Sequence, residues 1–295
     1  MSLKHTIKLI NNHPITSKSK LKTYQIILKW QISQAILRRP ILMQFINDSV
    51  LLVEKGMTGA TGNIYLGLHE FYDMGFLLHF LKKEDVFFDV GANIGAYTIL
   101  ASKVCEANSY TFEPSKITFE KLSNNVFLNR INSRTKLFNL GVSSKAEIVN
   151  FSKGFDTVNH ITSKEMEYTE KIETTSLNIV CEENSIIPTL LKIDVEGFEN
   201  EVIEGSDQIL RNDRLQAIII ELNGSGQRYG FDEEKIHQKI VSYGFTPCLY
   251  DPMKRTITPT TTKNKKDNTL YLKDIKGAQQ RVNASNSYKI RDITI

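Results

Sequence analysis

From about residue 86 onward, short apolar strands alternate with helical segments, and this alternation constrains the fold more than any other feature of the chain. Strands separated by helices form right-handed βαβ units and build a mostly parallel sheet. The strand sequences are apolar almost throughout, so we expect helices to cover both faces of that sheet. The expected strands are 86–90, 109–112, 135–140, 190–194 and 216–222, with an extra strand at 147–152.

The end of the chain departs from this alternation. Strands are expected near 246–250 and 269–272, but the segment 254–268 between them is rich in Thr and Lys and shows no helical periodicity. A link without a helix favours an antiparallel pair. The sequence therefore predicts an α/β fold with a mostly parallel, Rossmann-like sheet and an antiparallel C-terminal strand pair. This pattern is typical of class I methyltransferases rather than of dinucleotide-binding dehydrogenases.

The first third of the chain predicts an N-terminal helical/β extension. A polar start at 1–19 precedes a mostly helical stretch at 20–46, which Pro40 interrupts. The following segments are expected as a strand at 49–54, a glycine-rich turn at 57–63, an extended piece at 64–66 and an amphipathic helix at 68–81. The expected organisation is therefore a basic extension at 1–56, a methyltransferase domain at 57–275 and a C-terminal tail at 276–295.

The net charge of +4 conceals an asymmetry between the two ends of the chain. Residues 1–47 hold eight of the 37 Lys and Arg residues and no acidic residue, so 29 basic residues remain against 33 acidic ones. A basic arm of this kind suits an anionic partner such as a lipid surface, an acidic glycan or nucleic acid. The alternative is a solvated helical face.

The chain shows no signal for export or for spanning a membrane, and its cysteines form no metal-binding or disulfide pattern. Cys105, Cys181 and Cys248 are far apart, and we expect them to be buried and reduced. These features predict a cytoplasmic protein. Peripheral contact of residues 1–47 with the inner membrane surface is one alternative, and the sequence leaves the oligomeric state open.

A glycine-containing turn follows the first strand of the expected sheet. In open α/β sheets, ligands bind beyond the carboxyl ends of the strands, and glycines there let the backbone approach a ligand. Asp89 stands near the end of the strand, where its carboxylate could meet an ammonium group. The turn itself contains Gly91, Asn93 and Gly95. We therefore expect these four residues to bind a cofactor.

Glu113 ends the second strand, 22 residues after Gly91, where a carboxylate can accept hydrogen bonds from two ribose hydroxyls. NAD-binding sites use the spacing GxGxxG, whereas this turn reads GxxxG and is preceded by an acid. Such an acid would repel a diphosphate but suits the ammonium of a methionine moiety. The cofactor predicted from this turn is S-adenosylmethionine. The further expected contacts are Pro114 and Gly141, which follow the second and third strands, and Asp194 at the end of the fourth strand.

A second cluster of chemistry-bearing residues follows the fourth strand. Asp194 ends that strand, which is expected beside the first, and Glu196 and Glu199 come within the same turn. Acidic residues at a helix start also stabilise the helix dipole, and this capping role is the alternative for each of them. Three acids beside Lys192 exceed what a cap requires.

The chain resembles the FkbM family of methyltransferases. The resemblance covers about residues 57–250 and is carried by residues 88–98 (FDVGANIGAYT), 112–114 (FEP), 191–199 (LKIDVEGFE) and the lead-in 59–70 (GATGNIYLGLHE). The family implies S-adenosylmethionine as methyl donor and, usually, O-methylation of sugars or of hydroxylated natural products. One position departs from the pattern, because Asn178 stands where the family commonly has Asp. If that Asp caps a helix, Asn is a good substitute.

A hydroxyl acceptor gains from a general base within hydrogen-bonding reach. The catalytic candidates are Asp194 as base or acceptor anchor, then Glu196, then His160, whose ordinary pKa suits neutral pH. Tyr65 and Glu70 in the lead-in, and Glu221 and Asn223 after the fifth strand, are the expected acceptor-side residues, although packing roles are equally open for the first two. No metal is expected, although Asp194, Glu196, Glu221 and Asn223 would suit Mg²⁺ if they converged.

Two other functions compete with a small-molecule or glycan methyltransferase. A methyltransferase fold kept as a non-catalytic binding or scaffold protein is disfavoured by the intact acids and glycines of both clusters. A nucleic-acid methyltransferase is supported only by the basic arm, because the sequence shows no RNA-binding module and no base-flipping motif. We therefore expect no nucleic-acid partner.

Overall fold

The computed structural model describes residues 3–152, 161–162, 169–265 and 267–295. The helices of these residues are α1 (Leu3–Asn12), α2 (Lys20–Leu37), α3 (Thr58–Leu66), α4 (Phe71–Phe80), α5 (Ala96–Ile99), α6 (Lys116–Leu128), α7 (Leu177–Asn184), α8 (Glu199–Glu204), α9 (Asp207–Arg211), α10 (Glu233–Ser242) and α11 (Ile275–Asn283). A π-helical turn, Leu100–Val104, continues α5, and short 3₁₀ turns lie at Thr16–Lys18 and Ser225–Tyr229. No helix in the described ranges is long and apolar enough to cross a membrane.

The strands form one large sheet and three small ones. They are β1 (Ile41–Gln44), β2 (Val50–Val53), β3 (Val86–Val90), β4 (Asn108–Phe112), β5 (Thr135–Phe138), β6 (Gly141–Val142), β7 (Ile148–Ser152), β8 (Ile161–Thr162), β9 (Thr169–Thr175), β10 (Leu190–Ile193), β11 (Ala217–Ile220), β12 (Thr246–Asp251), β13 (Thr256–Pro259), β14 (Thr269–Leu272), β15 (Lys289–Ile290) and β16 (Ile293–Thr294).

The large sheet has the order β13-β12-β14-β11-β10-β3-β4-β5. The five strands from β11 to β5 are parallel, and β14 is antiparallel both to β11 and to β12. This is the class I methyltransferase arrangement, so the fold class predicted from the sequence is confirmed. The link 254–268 differs from the expected loop, because residues 256–259 form β13 and pair with β12 as a hairpin.

Consecutive side chains of the central strands enter two separate cores. Phe87 and Phe88 are both fully buried, the first on the face covered by α4 and α11, the second on the face with Ile218 and Tyr271. Neighbouring residues of a strand point to opposite faces of a sheet, so a continuous apolar run fills two cores at once. The expectation of a sheet covered on both faces is therefore confirmed.

The N-terminal third contains more regular structure than the sequence pattern indicated. Residues 3–12 form a helix where a loose start was expected, and residues 41–44 form a strand paired with β2 where a helix was expected. The predicted glycine-rich turn at 57–63 and extended piece at 64–66 are wrong, because both lie in α3. Gly62 serves close packing here, since a Cβ on it would lie 2.6 Å from the His69 ring.

Helix α4 lies against the large sheet and is buried around most of its circumference. Eight of its ten residues are buried, so it is not the amphipathic helix that the sequence suggested. The segment after residue 275 contributes to its cover: Arg281 of α11 donates hydrogen bonds to the Phe80 carbonyl, and Ile295 lies in the same core. All three cysteines are buried and unpaired, as expected.

Helix α7 begins at a capped residue, and the cap is not Asn178. The Ser176 hydroxyl accepts a hydrogen bond from the Ile179 N–H, which makes Ser176 the N-cap. The backbone N–H of Asn178 donates to the Gly205 carbonyl, and its side-chain oxygen is buried. Position 178 is therefore not the cap of α7, and this departure from the family pattern leaves that cap intact.

Candidate active site

A cavity of about 280 Å³ opens at the carboxyl ends of the central strands β3, β4, β10 and β11. Parallel strands present their carboxyl ends at the same edge of a sheet, so residues far apart in sequence meet there. Helix α3 and the residues before α4 form the opposite wall, through Gly59, Asn63 and Glu70. The small sheet that contains β6 and β9 closes one side.

The turn after β3 packs against the end of β10 without any room for a side chain. Gly91 has φ +78°, and a Cβ on it would lie 1.8 Å from the Asp194 carbonyl oxygen. The backbone N–H groups of Gly91 and Ala92 both donate to the Phe112 carbonyl at the end of β4. The turn is thus fixed to the two neighbouring strands β4 and β10. Glycine is required at position 91 because the backbone of the turn lies so close to the end of β10, whether or not a ligand is bound.

Glu113 lies in the cavity wall and is held there by the backbone. One carboxylate oxygen accepts the Asn93 N–H at 3.0 Å and the other accepts the Ser115 N–H at 3.0 Å. Burial raises the pKa of Glu113 to about 8, although these two hydrogen bonds oppose the shift. Each oxygen keeps a lone pair for a further donor, so the carboxylate can receive two hydroxyl groups from the cavity.

An apolar slot adjoins Glu113. It is formed by Phe112 and Pro114 on the β4 side, by Leu140 directly before β6, and by Gly141 and Val142 of β6 and Ile172 of β9. A Cβ on Gly141 would lie 3.1 Å from Ile172 and 3.2 Å from Thr174, so little room is left for a side chain between β6 and its neighbour β9. The slot is suited to a flat apolar group such as a nucleobase.

Asp89 does not line the cavity. It is fully buried beneath the turn, where its Oδ2 accepts hydrogen bonds from the Thr98 N–H at 3.1 Å and the Thr98 hydroxyl at 2.7 Å. Its Oδ1 lies 3.9 Å from the Lys192 Nζ. The structure therefore places Asp89 where it fixes the turn and α5 from below, and not where it was expected to meet an ammonium group.

Lys192 connects this buried carboxylate with the cavity. Its Nζ lies 3.2 Å from Asp194 Oδ2 and 4.9 Å from the centre of the Tyr97 ring. Burial alone would lower the pKa of Lys192, but the carboxylates of Asp194 and Asp89 outweigh it and raise the pKa. Lys192 is therefore charged and is already engaged with these two acids.

Three carboxylates converge on the side of the cavity away from Glu113. Asp194, Glu196 and Glu221 each offer an oxygen, and these oxygens lie within 4.8 Å of one another. Burial, and then the charge of Asp194, raises the pKa of Glu196 to about 7. Burial and the charges of Asp194 and Glu196 also raise the pKa of Glu221. Such a group can accept a proton or the hydroxyl of a sugar, and its oxygens are of the type that Mg²⁺ prefers.

Glu70 extends this acidic surface along the cavity wall. Its Oε1 accepts a hydrogen bond from the Asn268 side-chain amide at 3.1 Å, and the same amide donates to Asp73 at 3.2 Å. Burial, and then the charge of Glu70, raises the pKa of Asp73 well above its usual range. Residues from the lead-in, from α4 and from the loop before β14 are therefore joined at the acceptor side.

Two further residues predicted for the site, Tyr65 and Asn223, do not line the cavity. The Tyr65 hydroxyl accepts a hydrogen bond from Gln31 of α2, and its ring belongs to the core under that helix. Asn223 accepts the Ser225 N–H in the loop after β11 and does not line the cavity. His160 lies outside the described residues. Gly95 does not line the cavity either; its φ is +88°, and a Cβ on it would lie 2.5 Å from Leu122 of α6. The structure thus brings together in the cavity wall Gly91, Asn93, Glu113, Pro114, Gly141, Asp194, Glu196, Glu221 and Glu70.

Two cavity residues were missed in the sequence. His69 lines the cavity, and its Nδ1 is buried and has no hydrogen-bond partner among the described residues. Tyr97 also lines it, and burial together with Glu70 and Asp73 raises the pKa of its hydroxyl well above the usual range. Both residues lie in motifs quoted above, because His69 directly precedes Glu70 in the lead-in 59–70 and Tyr97 belongs to 88–98, so their positions were available as signals.

Two comparisons identify sequence relatives of the chain. The model of the methyltransferase FkbM domain matches residues 89–247, which is more than half of the chain. The chain is 30% identical over 148 residues to the hexuronic acid methyltransferase AglP of Haloferax volcanii; the match covers 50% of this chain and 59% of that protein.

Two solved structures overlap more loosely with the chain. An rRNA methylase from Streptococcus thermophilus has a TM-score of 0.39 at 15% identity, over 68% of this chain and 91% of that one. A precorrin-6y C5,15-methyltransferase from Geobacter metallireducens has a TM-score of 0.40 at 12% identity, over 75% and 91%.

Proposed function

The chain belongs to the FkbM methyltransferase family, and from that premise we propose that it transfers a methyl group from S-adenosylmethionine to a hydroxyl of a sugar or glycan. The observation that carries this proposal is the division of the cavity, with Glu113 and an apolar slot on one side and three convergent carboxylates on the other. The first side fits a nucleoside and the second fits a hydroxyl acceptor.

The residues on the nucleoside side fit the proposed methyl donor. The two oxygens of Glu113 are aligned by the Asn93 and Ser115 N–H groups, which leaves them free to accept the two ribose hydroxyls. The apolar slot beside Pro114 and Leu140 would hold the adenine. Since Asp89 lies beneath the turn, we assign the ammonium of the methionine moiety to Asp194, which lines the cavity and was proposed as a cofactor contact.

When bound, S-adenosylmethionine supplies a methyl group that its sulfonium has already activated. The chain's own task is to hold the acceptor oxygen in position and to take its proton. Glu196 is suited to take the proton, because its pKa of about 7 lets it be both ionised and basic at neutral pH. Asp194, whose Oδ2 lies 3.2 Å from the Lys192 Nζ, also anchors the acceptor hydroxyl. Glu221 lies beside Asp194 and Glu196.

The charge of the acceptor side favours a neutral or amino sugar. Glu70, Asp194, Glu196 and Glu221 line this side, and the one lysine that faces it within the described ranges, Lys192, is engaged with Asp194 and Asp89. A carboxylate acceptor would be repelled there, whereas sugar hydroxyls donate well to carboxylates. AglP acts on a hexuronic acid, so we expect the two proteins to differ in the charge of the acceptor.

Calorimetry tests the donor half of this proposal. We expect the purified protein to bind S-adenosylmethionine and S-adenosylhomocysteine with micromolar affinity, and Glu113→Ala to lose that binding. Glu120→Ala, which removes an exposed carboxylate on α6, is the matched control and should bind as the wild type does. A folded wild-type protein that binds neither ligand would contradict the donor assignment and favour the scaffold alternative.

An acceptor panel tests the other half, with release of S-adenosylhomocysteine as the readout. Neutral hexoses, amino sugars and hexuronic acids are compared as free sugars and as glycosides, in buffer with Mg²⁺ and in buffer with EDTA. We expect transfer to neutral or amino sugars in both buffers. Turnover of a hexuronic acid only with Mg²⁺ would instead indicate a cation held by Asp194, Glu196 and Glu221, and turnover of hexuronic acids alone in both buffers would refute the charge argument.

A further inference from the structure

Helix α2 presents a stripe of large apolar side chains to solvent. Leu21, Tyr24, Leu28, Ile32 and Ile36 follow one another at steps of three or four residues, which places them on one side of the helix. Their exposed fractions are 75%, 39%, 61%, 51% and 74%. Single exposed apolar residues are ordinary, but a continuous row of this length marks an interaction surface.

The opposite side of the same helix is firmly packed, so the exposure of the stripe is not a result of loose docking. Trp30 is 4% exposed and lies in one core with Leu51 and Val53 of β2. The Gln34 side chain is also buried, and its oxygen accepts the Lys55 N–H at 3.0 Å. The orientation of α2 is therefore fixed, and the helix is apolar on both its buried and its exposed side.

The charge around the stripe indicates what covers it. Lys20 and Lys29 are exposed and lie on opposite sides of the stripe, each at about a right angle around the helix at 100° per residue. Lys22, on the side of Lys29, is paired with Asp292. The three lysines belong to the segment 1–47, which has eight Lys and Arg residues and no acid. A second copy of the chain meeting this face about a twofold axis would bring two such basic sets together, which opposes association.

We infer that α2 lies on an anionic membrane surface, with the stripe inserted at the level of the acyl-chain boundary and the lysines at the headgroups. An apolar face bordered by Lys and Arg is the pattern of helices that lie in the plane of the interface. Anionic lipids add favourable energy for each basic residue near the surface, and this term falls with ionic strength.

This position would bring the cavity close to the bilayer. The Gln31 amide donates a hydrogen bond of 2.6 Å to the Tyr65 hydroxyl, which joins α2 to α3. Helix α3 in turn contributes Gly59, Ala60 and Asn63 to the cavity wall. The docked α2 and the cavity are thus separated by a single helix.

Vesicle co-flotation of the full chain tests the inference. We compare vesicles of phosphatidylcholine alone with vesicles of phosphatidylcholine and phosphatidylserine at a ratio of about 3:1, at low and high salt. We expect binding only to the anionic vesicles, weakened by salt, and reduced at least tenfold in the double variant Leu28→Glu/Ile32→Glu. Binding to neutral vesicles as strong as to anionic ones would overturn the charge argument.

The double variant Ile117→Glu/Phe127→Glu is the matched control, because it alters two exposed apolar residues of α6, which are 67% and 69% exposed. It should bind anionic vesicles as the wild type does, and thermal melting confirms that both variants fold. Equal loss in the control, or no binding by the wild type, would refute the inference. So would a dimer in sedimentation that Leu28→Glu/Ile32→Glu dissociates, since a second copy would then cover the stripe.

Discussion

The two sides of the cavity are built in different ways. The donor side comes from two short segments on adjacent strands, the turn at Gly91–Gly95 after β3 and Glu113–Pro114 after β4, and backbone N–H groups hold its one carboxylate. The acceptor side draws Glu70, Asp194 and Glu221 from three distant parts of the chain, and side chains of like charge face one another there.

This difference has an electrostatic consequence. On the donor side, burial raises the pKa of Glu113 to about 8 and two backbone hydrogen bonds moderate the shift. On the acceptor side, burial and the neighbouring Asp194 bring the pKa of Glu196 to about 7. If the two sides have the proposed roles, the ionisation of Glu113 controls the affinity for the donor and the ionisation of Glu196 controls the chemical step. Mutations of the two residues should therefore have separate effects on donor binding and on turnover.

Gly91→Ala should have the largest effect, because Gly91 lies where the two sides meet. Its Cβ would overlap the Asp194 carbonyl oxygen at 1.8 Å, and its φ of +78° is unfavourable for alanine. We expect the free energy of unfolding to fall by about 4 kcal/mol or more, with loss of donor binding and of turnover together. Chemical denaturation and calorimetry measure both.

Gly224→Ala is the control for Gly91→Ala. Its φ is +100°, but nothing lies within 4 Å of the added Cβ, so only the backbone cost of about 1–2 kcal/mol should appear. Equal destabilisation by the two substitutions would show that the close approach of β3 and β10 is not what requires glycine at position 91.

Glu196→Gln should separate the acceptor side from the donor side. If Glu196 takes the proton of the acceptor, kcat should fall roughly 10²–10⁴-fold while the Kd of S-adenosylmethionine stays within about twofold. The wild-type kcat should rise with pH to a plateau above about 7, since the base must be ionised, and this limb should be absent in the variant.

Glu182→Gln removes an exposed carboxylate from α7 and should leave both constants unchanged. Should the pH limb of kcat persist in Glu196→Gln, another group takes the proton, and Glu221 and His69 are the next to test.

The sequence predicted the donor side better than the acceptor side, and the construction of each explains why. The turn 91–95 and Glu113 are specified by residues near in sequence and by their place at the ends of strands, so a local pattern suffices. The parallel direction of the central strands followed from the alternation of strands and helices. Asp89 was misplaced because the pattern locates a residue in a strand but does not tell whether its side chain points into the cavity or beneath it.

The acceptor side depends on tertiary packing that no local pattern contains. Asn223 follows the same strand as Glu221, yet its side-chain oxygen accepts a hydrogen bond from the Ser225 N–H in the loop and does not face the cavity. Tyr65 was expected in an extended piece, whereas it lies in α3 and its hydroxyl accepts a hydrogen bond from Gln31. The glycines of the lead-in suggested a turn, whereas Gly62 lies inside α3. A glycine is required there because the His69 ring packs against it, and this contact cannot be read from the local sequence pattern.

Glu113→Gln should have an intermediate effect, confined to the donor side. It removes the charge that would receive the ribose hydroxyls, and a hydrogen bond to a charged group contributes about 1.5–3 kcal/mol. We expect the Kd of S-adenosylmethionine to rise roughly 10–100-fold, with kcat at saturating donor within a few fold of the wild type. A fall in kcat at saturating donor as large as that of Glu196→Gln would show that the two sides are not separable.

The smallest expected effect is the pH dependence of donor affinity, and it follows from the raised pKa of Glu113. Below about pH 8 the carboxyl of the free protein is protonated, whereas ribose hydroxyls bind better to the ionised form. Donor binding should therefore release a proton, and the affinity should rise with pH and level off above about 8. For one group of this pKa, the Kd should fall about tenfold between pH 7 and pH 9.

Calorimetry in buffers of different ionisation enthalpy measures this proton directly. We expect release of nearly one proton at pH 7 by the wild type and of none by Glu113→Gln, because the amide does not titrate. Glu196→Gln should release the same proton as the wild type, since Glu196 lies on the acceptor side. If Glu196→Gln instead abolished the release while Glu113→Gln retained it, the ribose of the donor would be bound by the convergent carboxylates and not by Glu113, and the assignment of the two sides would have to be reversed.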